Sequence, residues 1–102
     1  MRTLGLAGAL ILIVGAAWAR ELPRYDSVPG CKRFADAGGS YSEQVYALCL
    51  AQEQDAYDKF KQRWAEIPAP IRERCDQLGS AGGDGGSYRV LQLCIQREHS
   101  IP

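Results

Sequence analysis

Four cysteines have the most reactive side chains in this sequence: Cys31, Cys49, Cys75 and Cys94. Thiol redox catalysis usually places two cysteines in a Cys-x-x-Cys motif at the start of a helix, where the thiol pKa is lowered. Even Cys31 and Cys49 are much farther apart than that. An even number of widely spaced cysteines in a short chain indicates two structural disulfides in an oxidising compartment.

Metal, phosphate and catalytic motifs find no support in the remaining residues. Zinc ligands normally come in close pairs of Cys or His, whereas the single histidine, His99, lies near the C-terminus beside Glu98. Asp84 lies in a glycine run, but calcium loops need several acidic ligands and phosphate loops need a Lys followed by Ser or Thr. No Ser, His and acid arrangement is present. We therefore expect no cofactor, no metal and no enzymatic activity.

Charge composition bears on the kind of partner. Lys and Arg number 12, and so do Asp and Glu, which gives a formal net charge of zero. Binding to nucleic acid requires clustered Lys and Arg that displace counterions from phosphates. The balance therefore predicts no nucleic-acid partner.

The N-terminus has the pattern of a secretory signal peptide over residues 1–19. A single cation, Arg2, precedes an apolar run that ends at Ala17-Trp18-Ala19, the small-residue pattern of a cleavage site. The run is shorter than the roughly 20 residues of a membrane-spanning helix. Cleavage after Ala19 predicts a periplasmic or secreted mature chain with no stable membrane span, and an uncleaved anchor remains the alternative.

The mature chain divides into an extended lead-in, residues 20–30, and a four-cysteine helical domain, residues 31–102. The domain contains two tandem hairpin units, 31–67 and 70–99, in which a cysteine, a glycine turn and a second cysteine recur. Glycine suits such a turn because it adopts positive φ without steric cost. Ser40 followed by Glu43 has the pattern of a capping box at the start of the second helix.

A helical stripe follows the first glycine turn, and no Pro or Gly interrupts the chain from Tyr41 to Trp64. Residues at spacings of three or four place one apolar face on this segment: Val45, Cys49, Gln52, Ala56, Phe60, Trp64 and Ile67. Pro68 must end the helix, and Pro70 suits the first turn of the next one. The predicted fold is all-α, with two disulfide-stapled helical hairpins that share one long central amphipathic helix.

Turn positions favour one disulfide pairing. The midpoint of Cys31 and Cys49 and that of Cys75 and Cys94 both fall in glycine turns, which predicts these two local disulfides. Pairing Cys49 with Cys75 would need a turn inside the uninterrupted helix, whose break at Pro68 lies about 28 Å from Cys49. Crossed pairing, Cys31 with Cys75 and Cys49 with Cys94, is left open because it depends on how the hairpins pack.

Aromatic side chains follow the long helix. Helical spacing places Tyr57, Phe60 and Trp64 in the core first. Two small hairpins need not bury the whole stripe, and an exposed apolar patch on a small protein marks an interaction site. The candidate partner face therefore consists of Tyr46, Tyr57, Phe60 and Trp64.

Several segments resemble a group of short exported proteobacterial proteins that repeat Gly-Gly-Ser-Tyr before a helix cysteine. They are Pro29-Gly30-Cys31, Gly38-Gly39-Ser40-Tyr41, Cys49 with Gln52-Glu53, Ile67-Pro68, Arg74-Cys75, and Gly86-Ser87-Tyr88 with Cys94. The resemblance implies a periplasmic location and the repeat, and supplies no activity. We expect a non-enzymatic protein-interaction module or an accessory subunit of a cell-envelope complex.

A second resemblance is to periplasmic lysozyme-inhibitor-type helical domains, through Cys49, Gln52, Glu53, Trp64 and Cys75. It implies a cysteine pairing different from that of the repeat. The alternative function is therefore an inhibitor of a secreted hydrolase.

Overall fold

The computed structural model describes residues 21–99, and the predicted signal peptide lies outside them. The described part is all-helical and contains no strand. Its elements, in chain order, are α1 (Val28–Asp36), α2 (Glu43–Lys61), a short 3₁₀ helix (Trp64–Glu66), α3 (Ala69–Ser80) and α4 (Tyr88–Glu98). The prediction of an all-α fold is confirmed. Between residues 21 and 99 no helix has the length and apolar character needed to cross a bilayer.

Each hairpin is closed by its own disulfide. Cys31 of α1 bonds to Cys49 of α2 with their Cα atoms 5.6 Å apart, and Cys75 of α3 bonds to Cys94 of α4 at 5.5 Å. Both distances lie within the ordinary range for disulfides. The predicted local pairing is confirmed, and the crossed alternative is not the one formed.

Serine side chains cap the N-terminus of the second helix in each hairpin. Ser42 accepts a hydrogen bond from the backbone N–H of Val45, and Ser87 accepts one from that of Val90, each at 3.2 Å. The capping assignment to Ser40 is therefore wrong. Ser42 and Ser87 each stand seven residues before the second cysteine of their hairpin, so the caps of the two hairpins are in register.

The central helix α2 is shorter than its stripe suggested. It ends at Lys61. The chain then turns through the 3₁₀ helix, which places Trp64 and Ile67 in the hydrophobic core. Ile67 is extended, at φ −82° and ψ 133°, because the residue before a proline avoids helical geometry. Pro70 lies in the first turn of α3, as predicted.

One hydrophobic core lies between α2, the 3₁₀ helix and the second hairpin. Its buried residues are Ala56, Phe60, Trp64, Ile67, Cys75, Tyr88, Leu91, Cys94 and Ile95. One position of the stripe on α2 is wrong, because Gln52 is exposed whereas its neighbour Glu53 is buried. The core-facing side of α2 thus carries a carboxylate.

The lead-in crosses the second hairpin, and we call its residues 22–27 the strap. Leu22 and Tyr25 pack against the core, and the N–H of Asp26 donates to the carbonyl of Gly85 at 3.0 Å. The last residues of the predicted lead-in are helical, because α1 begins at Val28, with a proline in its first turn. The strap holds the first hairpin against the second.

Candidate functional site: two cavities around Glu53

Glu53 forms the centre of the polar contacts between the hairpins. Only 7% of its surface is exposed. Its Oε1 accepts from the Ser27 hydroxyl at 2.6 Å and from the Tyr88 N–H at 2.8 Å, while Oε2 accepts from the Ser87 hydroxyl at 2.7 Å and from the Arg89 N–H at 3.0 Å. The carboxylate therefore binds the N-terminus of α4 and the start of α1 at once.

This contact explains how a charged group is buried here. A carboxylate is stabilised at a helix N-terminus by free N–H groups and by the helix dipole, and hydrogen bonds to charged groups are among the stronger ones. All four donors come from outside α2. In the sequence, Glu53 stands only among the residues that carry the two resemblances, and the helical stripe on either side of it is the signal for its burial.

Three tyrosines form an aromatic cluster beside Glu53. The Tyr88 ring lies 4.7 Å from the Tyr25 ring and 5.2 Å from the Tyr57 ring, measured between centroids. The Tyr25 N–H donates to the Tyr88 hydroxyl, which in turn donates to the carbonyl of Pro23, each at 2.9 Å. The strap and α4 are therefore joined by backbone as well as ring contacts.

The phenol of Tyr25 lies beside a carboxylate. It donates to Oδ1 of Asp76 at 2.7 Å. Burial, followed by this hydrogen bond and the charge of Asp76, raises the pKa of Tyr25 well above its ordinary value, and burial also raises the pKa of Tyr88. Both phenols therefore act as neutral hydrogen-bond donors.

Two cavities flank the carboxylate of Glu53. The tyrosine cavity, of about 420 Å³, is lined chiefly by Tyr25, Asp26, Glu53, Gln54, Tyr57 and Tyr88. The apolar groove, of about 340 Å³, is lined chiefly by Phe34, Val90, Gln52, Arg89 and the Cys31–Cys49 disulfide. Ser27 and Glu53 line both cavities and form the wall that they share.

Large apolar side chains are exposed at matching positions of the two hairpins. Phe34 and Leu78 each stand three residues after the first cysteine, and are 62% and 54% exposed. Leu48 and Leu93 each directly precede the second cysteine, and are 60% and 54% exposed. Each hairpin therefore exposes two large apolar side chains close in sequence to its disulfide.

The structure corrects half of the partner face predicted on α2. Phe60 and Trp64 are buried in the core and present no surface to a partner. Tyr57 is half-buried and lines the tyrosine cavity. Tyr46 is also half-buried, with its ring centroid 6.2 Å from that of Tyr41. Phe34 and Val90, which are exposed but absent from the predicted face, lie on α1 and α4.

The remaining candidate ligands already have partners. Cys75, Cys94 and Glu98 lie close enough to share a metal ion, but both sulfurs belong to a disulfide and carry no thiolate. Glu98 pairs with the Arg74 guanidinium, which lowers the pKa of that carboxyl. Asp84 of the glycine run pairs with Arg33 at 2.8 Å and so links the two hairpins. The described contacts of these side chains join one part of the fold to another.

Comparison with known proteins returns no match to this chain among family models, curated proteins or solved structures.

Proposed function

We propose that this chain is a non-enzymatic protein-interaction module of the cell envelope, acting in the periplasm or outside the cell as an accessory subunit of a complex. The observation that carries this proposal is the apolar groove between α1 and α4. Phe34 and Val90, 62% and 42% exposed, line it together with the Cys31–Cys49 disulfide. Exposed apolar surface of this kind marks interaction sites on small proteins.

The groove has a chemistry that selects its occupant. Apolar carbon and disulfide sulfur form most of it, and Arg89 lies at its border with an exposed side chain that makes no ion pair with another described residue. Complementary charge at the edge of an apolar contact fixes the orientation of a partner. The proposed occupant is a partner-protein segment with a large apolar side chain next to a carboxylate.

The location rests on two features of the chain. Two disulfides in so small a protein are typical of oxidising compartments. The pattern of residues 1–19 adds the expectation of export, with a mature protein that begins at Arg20. The inhibitor alternative gains no support from the disulfides, because the pairing that its resemblance implies is not the one formed.

Site-specific crosslinking tests the proposed groove. A photoreactive amino acid at Phe34 or Val90 should capture one envelope protein through an acidic, apolar segment of that protein. The same probe at Leu78, which is equally apolar and exposed but lies on α3, is the matched control and should not capture it. Capture should be lost in Arg89→Glu while the far-ultraviolet circular dichroism spectrum is unchanged.

Two results would contradict this proposal. Equal capture from Phe34 and Leu78 would show that any exposed apolar residue suffices. Turnover of a substrate by the purified mature chain would place it among enzymes instead.

A further inference from the structure

The tyrosine cavity is chemically unlike the apolar groove. Three aromatic rings line it, and Tyr88 lies between Tyr25 and Tyr57 in the cluster. The face of an aromatic ring attracts cations through its quadrupole. The cluster already engages one cation of the chain, since Lys61 Nζ lies 5.6 Å from the centroid of the Tyr57 ring.

Charges around the cavity have one sign. Asp26 and Glu53 line it, and no described Lys or Arg does. Lys61 and Arg24 instead line, together with Glu21, a neighbouring cavity of about 580 Å³ that shares the same three rings. The tyrosine cluster therefore has only acidic charges at the tyrosine cavity, and charges of both signs at its neighbour.

The cavity is formed before any ligand arrives. Hydrogen bonds fix the two rings that the strap and α4 contribute: Tyr25 donates to Asp76, and Tyr88 donates to Pro23. Asp26 is held by the N–H of Val28, which donates to its Oδ1 at 3.1 Å. Groups fixed in this way lose little conformational freedom when a ligand binds.

We propose that the tyrosine cavity binds a compact quaternary ammonium ion, with the cation against the tyrosine rings and its charge balanced by Asp26 and Glu53. A quaternary ammonium group presents methyl carbon rather than N–H donors, which suits a cavity whose lining also includes Leu50. A volume of about 420 Å³ is in the range of small-molecule sites. This site is separate from the proposed protein-binding groove.

Titration of the mature protein with choline, followed by nuclear magnetic resonance, tests the proposal. Choline at millimolar concentration should shift the signals of Tyr57 and Gln54 in a saturable manner. Its uncharged carbon isostere, dimethylbutanol, has nearly the same shape and should bind at least threefold more weakly, because it lacks the attraction between cation and ring.

Paired variants assign the roles of ring and charge. Tyr57→Phe keeps an aromatic face and should retain choline binding, whereas Tyr57→Leu should weaken it about three- to tenfold. Asp26→Asn should weaken it similarly, and its amide oxygen can still accept from the Val28 N–H. Asp55→Asn makes the same change of net charge on the exposed side of α2, away from the cavity, and should have no effect.

Equal binding of choline and dimethylbutanol would overturn the proposal, as would equal effects of Asp26→Asn and Asp55→Asn or an absence of saturable shifts. The outcome of the choline test does not depend on whether the apolar groove binds a protein. Arg89 does not line the tyrosine cavity. The variant Arg89→Glu, which tests the protein partner, should therefore leave choline binding unchanged.

Discussion

At the scale of single residues, the position of Glu53 depends on donors that come from elsewhere in the chain. Its carboxylate receives two hydroxyl groups and two backbone N–H groups, and all four must be in place to balance the cost of burying a charge. Within the described part of the chain, no buried side-chain nitrogen or oxygen lacks a hydrogen-bond partner. Removal of this one charge should therefore affect both hairpins.

Glu53→Gln tests that dependence. The substitution places an amide N–H₂ donor against groups that are themselves donors, so we expect the free energy of unfolding to fall by about 2 to 3 kcal/mol. Glu98→Gln is the matched control, because Glu98 also stands four residues after the second cysteine of its hairpin but is more exposed; its effect should be much smaller. Urea unfolding monitored by Trp64 fluorescence measures both, and equal losses would contradict this role of Glu53.

Tyr25 gives stability a dependence on alkaline pH. Its pKa in the folded protein is raised above the ordinary value of 10.0, so the folded state holds the phenolic proton more tightly than the unfolded chain does. The stabilisation is fully present below about pH 10 and is lost as the pH rises through the raised pKa of the folded state.

Tyr25→Phe should lower stability at neutral pH, because the hydrogen bond to Asp76 is lost, and should make the alkaline decline shallower. Part of the decline should remain, since burial also raises the pKa of Tyr88. Unfolding by urea at a series of pH values measures both effects. An unchanged alkaline slope in Tyr25→Phe would show that other groups cause the decline.

Residue-scale prediction from sequence succeeded where the information was local. The disulfide partners follow from glycine turns midway between cysteines, and the structure confirms them. The role of Glu53 did not follow, because its donors stand 26 to 36 positions away in sequence. Helical periodicity specifies which face of α2 is buried only to within a residue, and it says nothing about what covers that face.

At the scale of elements, the strap requires small residues in the hairpin beneath it. A Cβ atom added to Gly79 would lie 2.6 Å from the Tyr25 hydroxyl oxygen, and one added to Gly86 would lie 2.6 Å from Cδ1 of the same ring. Gly86 also has a φ of 94°, which side chains rarely adopt. The second glycine run therefore serves both as a turn and as the seat of Tyr25.

Gly86→Ala should consequently destabilise the protein by about 2 kcal/mol or more, through backbone strain and displacement of Tyr25. Gly82→Ala, in the same run, is the control, because nothing lies within 4 Å of its added Cβ. It should be neutral or slightly stabilising, since alanine reduces the freedom of the unfolded chain. Thermal unfolding of the two variants checks this, and similar melting temperatures would contradict the role of the strap.

Helix boundaries were predictable to the extent that prolines and caps determine them. Pro68 and Pro70 placed the start of α3 correctly. Ser40 has a glutamate at capping-box spacing, which predicts the cap there, although it is Ser42 that makes the bond. The end of α2 at Lys61 was not predictable, because tertiary packing of Trp64 and Ile67 breaks a helix that local propensity would extend.

At the scale of the whole molecule, the two disulfides differ in access to solvent. Cys75 and Cys94 are 0% and 8% exposed and Cys31 is 2% exposed, whereas Cys49 is half-buried and lines the apolar groove beside Cys31. Thiol–disulfide exchange requires direct approach of a thiolate to sulfur. Limited reduction should therefore open Cys31–Cys49 before Cys75–Cys94.

Brief treatment with dithiothreitol, alkylation and peptide mass spectrometry measures that order. Denaturation in urea before reduction is the control, and should make the two rates similar because burial no longer protects either bond. Earlier alkylation of Cys75 and Cys94 in the folded protein would contradict the expected order.

The strap also determines when the chain can finish folding. Its contacts with Tyr88 join residues 63 and 65 positions apart, whereas each disulfide spans 18 or 19. The ribosome makes the strap before α4, so the strap has no docking site until α4 has emerged. Hairpins rich in local contacts form fast, and closure of a long loop is slow. The strap is therefore made before its docking site and should bind last. A chain truncated before α4 would leave the strap undocked.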